Sequence, residues 1–283
     1  MRASDSRVSP DLRVEALVAT MGQTDHNLLD RMNIQTDAIV INQCERFERH
    51  ELHHNERLVR FFSFPERGVG LSRNTALMRA TGDICLFSDD DLIYRDGYEQ
   101  ALQKAFREHP DADVIVFNIS SINQTKKRFQ IAKPIRIRWF NYMRYGAARI
   151  AVRRASILRE HISFSLLFGG GAQYASGEDT LFLQDCLKAG LHIYAVPVTL
   201  ADIDDNLSTW FYGYNEKFLR DRGALHKAMF NRLAVLQNLL YLLRHEKVWM
   251  EVGGILRAWN MMNKGMRDFS LFGGECNVSK EGV

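Results

Sequence analysis

One segment, residues 83–94, constrains the fold more than any other part of the sequence. A short apolar run at residues 84–87 leads through a serine into three consecutive carboxylates, Asp89, Asp90 and Asp91. A short apolar run with a glycine before it predicts a buried strand. Open α/β sheets bind ligands beyond the carboxyl ends of their strands. This strand therefore predicts a concentrated negative site at that edge of a sheet.

The three carboxylates repel one another, so the cluster predicts a positive partner. Mg²⁺ is a natural candidate, since it takes oxygen ligands and commonly combines one or two protein carboxylates with substrate phosphates. A solvated acidic turn or a helix cap is the alternative interpretation of the same residues.

Strands and helices alternate through the first two thirds of the chain. Apolar runs predict strands at 14–20, 38–42, 58–61, 84–87, 114–118, 148–157 and 191–200. Helices are predicted at 27–32, after a loop opened by the glycines at 68 and 70 and up to about 80, at 98–106 and at 177–189, and helices dominate from 215 to 266. Such alternation is typical of βαβ units. The basic, roughly alternating stretch at 126–139 suggests an antiparallel excursion. The fold class is therefore α/β, with a mixed, mainly parallel sheet flanked by helices and a helical C-terminal extension.

Charge and cysteine content limit the classes of partner. The net charge is only +3, which argues against nucleic acid as the main partner. The four cysteines are widely spaced without a CxxC pair, and residues 1–10 lack the apolar core of a signal peptide. These features predict reduced cysteines, no zinc site and a cytoplasmic protein.

The C-terminal helices are basic, with ten Lys and Arg against five Asp and Glu in residues 211–270. Leucines recur at helical spacing there, at positions 233, 236, 239, 240 and 243. This face predicts packing on the catalytic domain or on a second copy in a homodimer. The alternative is peripheral contact with anionic lipid at the inner face of the cell membrane.

Two further motifs could carry chemistry. Gly68 and Gly70 precede Arg73, which is predicted in the first turn of a helix, where a cation opposes the helix dipole and an anion nearby would relieve it. No Walker A motif is present, and a simple helix-entry turn is the alternative. Glu178 and Asp179 open another helix, where acids are favoured as caps. An ionised Asp could also accept a proton from a hydroxyl.

The order of these segments resembles the family 2 glycosyltransferases of the GT-A fold. The resemblance covers about residues 14–198 and is carried by Gly-Leu-Ser-Arg-Asn, by Thr-Gly-Asp before the acidic strand, and by Glu-Asp about ninety residues later. It implies an inverting hexosyltransferase that uses a nucleotide sugar and Mn²⁺ or Mg²⁺. The acceptor would be a hydroxyl of a glycan or a lipid-linked molecule in bacterial polysaccharide biosynthesis. The implied domains are an arm at 1–12, a GT-A domain at 13–205, divided at 120/121 into nucleotide and acceptor halves, and a helical region at 206–283.

The resemblance also implies roles for individual residues. Asp91 and Asp89 would hold the metal as a DXD-type motif, and Asp89 or Asp90 would reach the ribose or sugar. Asp179 would be the catalytic base, supported by Glu178. The polar loop at 201–209, with Trp210, would close over the donor. The remaining nucleotide-binding residues would be Thr20, Asn42, Gln43 and Arg73. Many members of the family carry an acidic residue where this chain has Asn42 and Gln43. The identity of the nucleotide base is therefore left open, and UDP is the expected nucleotide.

Three rival functions remain on the sequence alone. A haloacid-dehalogenase-like phosphatase also places Asp-x-Asp after an apolar strand, but near the start of its domain. A sugar-nucleotide pyrophosphorylase would need a Gly- and Lys-rich loop after the first strand, which residues 21–23 do not supply. A non-catalytic GT-A domain could act as a scaffold.

His226 is a further candidate metal ligand from the C-terminal side.

Overall fold

The computed structural model describes residues 12–123, 129–203 and 213–277. The chain divides into two compact units, each built from separated parts of the sequence. Unit 1 comprises Met1–Glu66, Ser72–Ile162 and Cys186–Asp205, and unit 2 comprises Arg67–Leu71, Ser163–Asp185 and Asn206–Val283. The predicted arm lies outside the described residues except for its last position. The continuous domain limits expected from the sequence stay a prediction.

The described strands form one ten-stranded mixed sheet in unit 1, in the order β3-β4-β2-β1-β5-β9-β7-β10-β6, with β8 paired to β10. The strands are β1 (Val14–Met21), β2 (Asp37–Gln43), β3 (Glu48–His54), β4 (Arg57–Phe64), β5 (Ile84–Asp89), β6 (Leu92–Tyr94), β7 (Val114–Ser121), β8 (Ile135–Ile137), β9 (Ile150–Arg153) and β10 (Ile193–Ile203). The mainly parallel sheet predicted from the alternation of elements is confirmed.

The described helices comprise three in unit 1, two that start in unit 2 and end in unit 1, and four in unit 2. They are α1 (Leu28–Arg31), α2 (Val69–Arg79), α3 (Tyr98–Glu108), α4 (Arg154–Arg159), α5 (Glu178–Lys188), α6 (Glu216–Phe230), α7 (Ala234–Arg244), α8 (Glu246–Met250) and α9 (Ile255–Asn277). The two helices shared between the units are α2, whose residues up to Leu71 belong to unit 2, and α5, whose residues up to Asp185 belong to unit 2.

Three neighbouring parallel strands, β1, β2 and β5, build the centre of unit 1. Their apolar side chains are buried, because parallel strands covered on both faces read as continuous apolar runs. Thr20 is in register with Asn42, and Ala19 is in register with Asp89. The carboxyl ends of the three strands therefore meet at one edge of the sheet, and this edge positions the acidic cluster.

The structure differs from the sequence prediction at several elements. The strand predicted at 148–157 is the short β9 followed by α4, and β10 continues to Ile203 into the predicted loop. The edge strand β3 was not predicted, because its sequence, ERHELHH, is charged and lacks a run of apolar residues. Charged side chains are common on edge strands, where they oppose pairing with other chains.

Most of the leucine face predicted on α7 is exposed in this single chain, so its packing on a second copy or on lipid stays a prediction. Leu236, Leu239 and Leu243 are exposed, whereas Asn238 and Leu242 are buried. Leu242 joins a small apolar core of unit 2 with residues of α6, α8 and α9. None of the helices in the described parts of the chain has the length and hydropathy to span a bilayer.

Two glycines allow α6 and α9 to touch in unit 2. A Cβ on Gly223 would lie 1.9 Å from the carbonyl oxygen of Met262, and one on Gly265 would lie 1.9 Å from the carbonyl oxygen of Arg220. Real atoms cannot approach so closely, so the two backbones meet only because both positions lack a side chain.

Replacing Gly223 with alanine should therefore destabilise unit 2 by about 3 kcal/mol, the upper end for overpacking, because the clash is with backbone. Urea denaturation, with hydrogen exchange of the α6 and α9 amides to follow this unit alone, measures the change. Lys264→Ala, at an exposed position of α9, is the control and should stay near the wild type. A Gly223→Ala protein as stable as that control would contradict the close crossing.

Candidate functional site

The acidic cluster lies where the sequence predicted it, at the carboxyl edge of the sheet. Asp89 ends β5, and Asp90 and Asp91 form the turn into β6. Asp89 and Asp91 are half-buried and Asp90 is exposed. The tight turn holds three carboxylates together beside the ends of β1 and β2.

Thr20 at the end of β1 holds Asp90. Its hydroxyl Oγ1 donates a 2.5 Å hydrogen bond to Oδ2 of Asp90. Although the Asp90 residue is exposed, its carboxyl is partly desolvated, which raises the pKa of Asp90 above its usual value. The charge of Asp89 raises this pKa further, and the hydrogen bond from Thr20 opposes the rise. A cation at this turn would favour the ionised form.

Arg73 is a buried cation that contacts the cluster. Its side chain is only 3% exposed, and its Nη2 donates a 2.6 Å hydrogen bond to Oδ1 of Asp89. The expected position in the first turn of a helix is wrong, because α2 begins at Val69 and Arg73 falls in the second turn. The anion that Arg73 required is thus the carboxylate of Asp89 in this structure, in a charge-assisted pair.

A buried amide network supports the edge, and the sequence did not predict it. Asn42 is fully buried, and its side chain bonds the backbone N and O of Gln23 and the hydroxyl of Ser63. The Gln23 side chain in turn donates to Oγ1 of Thr20 over 2.9 Å and accepts from Arg31. Asn42 therefore positions Gln23 in this structure. The predicted contact of Asn42 with a nucleotide base stays a prediction.

Gln43, the other predicted base contact, ends β2 and is also buried. Its carbonyl accepts a 2.9 Å hydrogen bond from the backbone N–H of Gly22. Gly22 has a φ of +70°, which glycine adopts without strain. This bond fixes the turn that carries Gln23, so the loop after β1 is a structured wall of the edge.

Carboxylates are the ligands that Mg²⁺ and Mn²⁺ prefer, so the chemistry of Asp89 and Asp91 fits the predicted metal. Oδ1 of Asp91 is buried. Among the described residues, however, no group of three His, Cys, Asp or Glu side chains is arranged as a complete metal site. The residues fit an ion that receives its other ligands from a bound diphosphate and water.

The two glycines before Arg73 have different structural reasons in unit 2: Gly68 has a φ of +123°, which favours glycine, and Gly70 is required by close packing. A Cβ on Gly70 would lie 2.4 Å from the carbonyl oxygen of Ser165, and the N–H of Val69 donates to the carbonyl of Gly170 over 2.8 Å. Close approach of two backbones explains glycine at 70. The structure therefore favours the helix-entry interpretation of these glycines over a phosphate loop.

Glu178 and Asp179 open α5 in unit 2, as predicted. Oδ1 of Asp179 accepts a 2.6 Å hydrogen bond from the N–H of Thr180, and Oε2 of Glu178 accepts from the N–H of Gly177 over 3.2 Å. A Cβ on Gly169 would lie 2.9 Å from Cδ of Glu178, so this glycine makes room for the carboxylate. Both acids thus have a capping role, and Asp179 is half-buried.

The predicted site residues therefore fall into two groups. Unit 1 brings together seven of them, and Glu178 and Asp179 belong to unit 2. Trp210 and residues 204–209 of the predicted lid lie outside the described residues. The seven in unit 1 are Thr20, Asn42, Gln43, Arg73, Asp89, Asp90 and Asp91.

His226, the alternative metal ligand, is a buried residue of α6. Its Nδ1 lies 2.7 Å from Oδ1 of Asn238, and burial lowers the pKa of His226 to about 4. The ring is therefore neutral at pH 7 and holds α6 to α7. The structure explains His226 through this buried hydrogen bond without a metal role.

Comparisons with known proteins agree with the geometry. Residues 36–168 match the family model described as Glycosyl transferase family 2. The structure is similar to that of TarS residues 1–349 from S. aureus in complex with UDP-GlcNAc, with a TM-score of 0.64, 16% identity, and coverage of 91% of this chain and 80% of that one. The same TarS segment in complex with UDP gives a TM-score of 0.57, 17% identity, and coverage of 83% and 72%. No curated protein matches the sequence.

Proposed function

We propose that this chain, whose residues 36–168 match the glycosyl transferase family 2 model and whose fold resembles that of TarS, is a glycosyltransferase that moves a hexose from a UDP-sugar to a hydroxyl of a glycan or lipid-linked acceptor. One observation carries the proposal: the carboxyl edge of β1, β2 and β5 gathers an ordered polar network around three carboxylates. A bacterial polysaccharide is the acceptor class that this family suggests.

The donor would bind at this edge of unit 1. Thr20, Gln23 and Gln43 offer polar groups on a rigid wall where a nucleoside can dock, which is the usual position for nucleotides in open α/β sheets. The solved TarS complexes contain UDP-GlcNAc and UDP, which supports UDP as the nucleotide. Arg73 holds Asp89 now and would be placed to meet the diphosphate when the donor binds.

Asp91, with Asp89, would hold Mn²⁺ or Mg²⁺ on the donor diphosphate. When bound, such an ion supplies Lewis-acid stabilisation of the negative charge that develops on the leaving nucleoside diphosphate. The protein contributes the fixed carboxylates and the neighbouring cation of Arg73.

Asp179 would act as the general base. It would take the proton of the acceptor hydroxyl as that oxygen bonds to the anomeric carbon, while the bond from this carbon to the diphosphate breaks. A single displacement from the opposite face inverts the anomeric configuration. Glu178, ordered beside Gly169 and Gly177, would keep the start of α5 in place.

The remaining alternatives differ in testable ways. The family match displaces the phosphatase, and a non-catalytic scaffold would bind a nucleotide sugar without transferring the sugar. The cytoplasmic location, the homodimer and membrane contact through the C-terminal helices stay predictions. A turnover assay with UDP-sugars separates the enzyme from the scaffold.

Calorimetric titration of UDP and GDP, with and without Mn²⁺, tests the donor site. We expect Mn²⁺-dependent UDP binding that weakens by about 100-fold or more in Asp91→Ala, because supporting residues of metal sites alone contribute 10–100-fold. The control is Asp96→Asn, an exposed carboxylate that accepts hydrogen bonds from the side chains of Asn33 and Gln35. Failure of either nucleotide to bind under any metal condition would overturn the proposed function.

A further inference from the structure

All charged Lys, Arg, Asp and Glu residues in the central part of the chain are basic. Residues 114–159 contain eleven Lys and Arg and no Asp or Glu. Because the net charge of the whole sequence is +3, the other residues carry −8 by subtraction. Among the described residues of this segment, Lys133, Arg138 and Arg144 are exposed and give this part of the surface of unit 1 a positive charge.

A tight turn within this segment presents two large aromatic side chains to solvent. The N–H of Asn141 donates to the carbonyl of Arg138 over 3.0 Å, and Oδ1 of Asn141 accepts from the N–H of Arg138 over 2.7 Å. Trp139 and Phe140 occupy the two central positions of this turn, and they are 53% and 74% exposed. Central turn positions normally carry Gly, Asn, Asp or Pro. Neither aromatic is required by the local backbone.

The turn is anchored from beneath, so its tip is held in position. Asn141 and Tyr142 are buried, and the preceding strand β8 pairs with β10. Met143 is 47% exposed and extends the apolar tip. We call Trp139, Phe140 and Met143 the aromatic tip.

Exposed cations precede and follow the aromatic tip in the sequence. Arg138 and Arg144 flank it in sequence and are exposed, and Lys133 is exposed just before β8. Exposed bulky apolar groups beside Lys and Arg are the combination that binds an anionic bilayer: the aromatic groups enter the interface, and the cations pair with lipid headgroups. A second copy of this chain fits less well, because two tips would bring like charges together.

We propose that the aromatic tip docks unit 1 on an anionic phospholipid bilayer. Trp139 and Phe140 enter the headgroup region, and Arg138, Arg144 and Lys133 bind the anionic lipids. The inference rests on unit 1 alone and is independent of the donor chemistry. It names a different surface from the C-terminal helices that the sequence suggested.

Vesicle co-sedimentation of the full chain tests this surface, with phosphatidylcholine vesicles prepared with and without phosphatidylglycerol. We expect binding only with phosphatidylglycerol, and a loss of about tenfold or more in Phe140→Ser. The matched control is Phe47→Ser, since Phe47 is also 74% exposed but the charges around it in sequence balance, with two acids and two arginines at residues 45–49. That control should bind like the wild type. Both substitutions are at exposed positions, and urea denaturation verifies that each variant is folded.

A second measurement detects insertion directly. Phe140→Trp should be quenched by brominated lipids more strongly than Phe47→Trp. Three results would overturn the proposal. The first is no binding to anionic vesicles, and the second is binding that the double variant Leu236→Ser/Leu243→Ser of α7 loses but Phe140→Ser keeps. The third is heparin binding that equals vesicle binding and does not respond to Phe140→Ser. That result would assign the positive surface to a soluble acidic polymer.

Discussion

Asp179→Asn is expected to lower kcat for sugar transfer by about 10²–10⁴-fold, the range that a general base contributes. The amide cannot take the proton of the acceptor hydroxyl. Its Oδ1 can still accept the hydrogen bond from the N–H of Thr180, so the start of α5 should remain folded. Affinity for the donor nucleotide should therefore be unchanged, and only the chemical step should suffer. Steady-state kinetics with calorimetric titration of UDP separate the two effects.

Asp185→Asn provides the matched comparison, because it removes a carboxylate from the same helix. That variant should retain kcat within a few-fold of the wild type. The kcat of Glu178→Gln should lie between those of Asp179→Asn and Asp185→Asn, since Glu178 is proposed to position the start of α5. An Asp179→Asn enzyme that keeps kcat within tenfold of the wild type would remove Asp179 from the mechanism. The donor-site proposal at the acidic cluster would stand unaffected by that result.

Glu15→Ala is expected to give the largest loss of stability, about 3–5 kcal/mol, as for a buried charge pair that loses one partner. Glu15 is 3% exposed in β1. Its Oε2 accepts from the N–H groups of Thr81 and Gly82 over 2.6 and 2.9 Å, and its Oε1 accepts from Nη2 of Arg60 over 2.6 Å. Alanine would remove the acceptor of these three donors in a mostly buried environment, where an unsatisfied donor destabilises the folded state.

Urea denaturation measures this loss, and hydrogen exchange of the β1 and β5 amides assigns it to unit 1. Glu51→Ala is the control, because Glu51 pairs with Arg49 on the exposed edge strand β3. Such exposed pairs contribute about 0–1 kcal/mol. A Glu15→Ala protein that unfolds at the same urea concentration as Glu51→Ala would show that the buried network is not stabilising.

Glu15 also explains a motif that the sequence offered only as a resemblance. In Thr-Gly-Asp before β5, a Cβ on Gly82 would lie 2.8 Å from the Cβ of Glu15. The glycine is needed for close packing, and the two N–H groups bind one carboxylate. The contact joins residues more than sixty positions apart, so no local pattern reveals it.

Unpredicted elements share a physical cause. β3 is a charged edge strand, and β6 has only three residues, so neither shows the apolar run that identifies a buried strand. The start of α2 was placed too late, because Gly70 was taken as a loop residue although it lies inside the helix. A glycine is needed at position 70 for the close contact with Ser165 and not for a loop conformation.

The sequence by itself determined the α/β class, the buried strands and the position of the acidic cluster at the end of β5, because apolar periodicity and a run of carboxylates are local properties. Only the tertiary structure decided the partners of these groups. Arg73 meets Asp89, Thr20 meets Asp90, and Asn42 is buried behind Gln23. These contacts depend on strand order and register, which bring together side chains from sixteen to seventy positions apart. The exposure of the aromatic tip was likewise decided by packing, since the same residues could have been core.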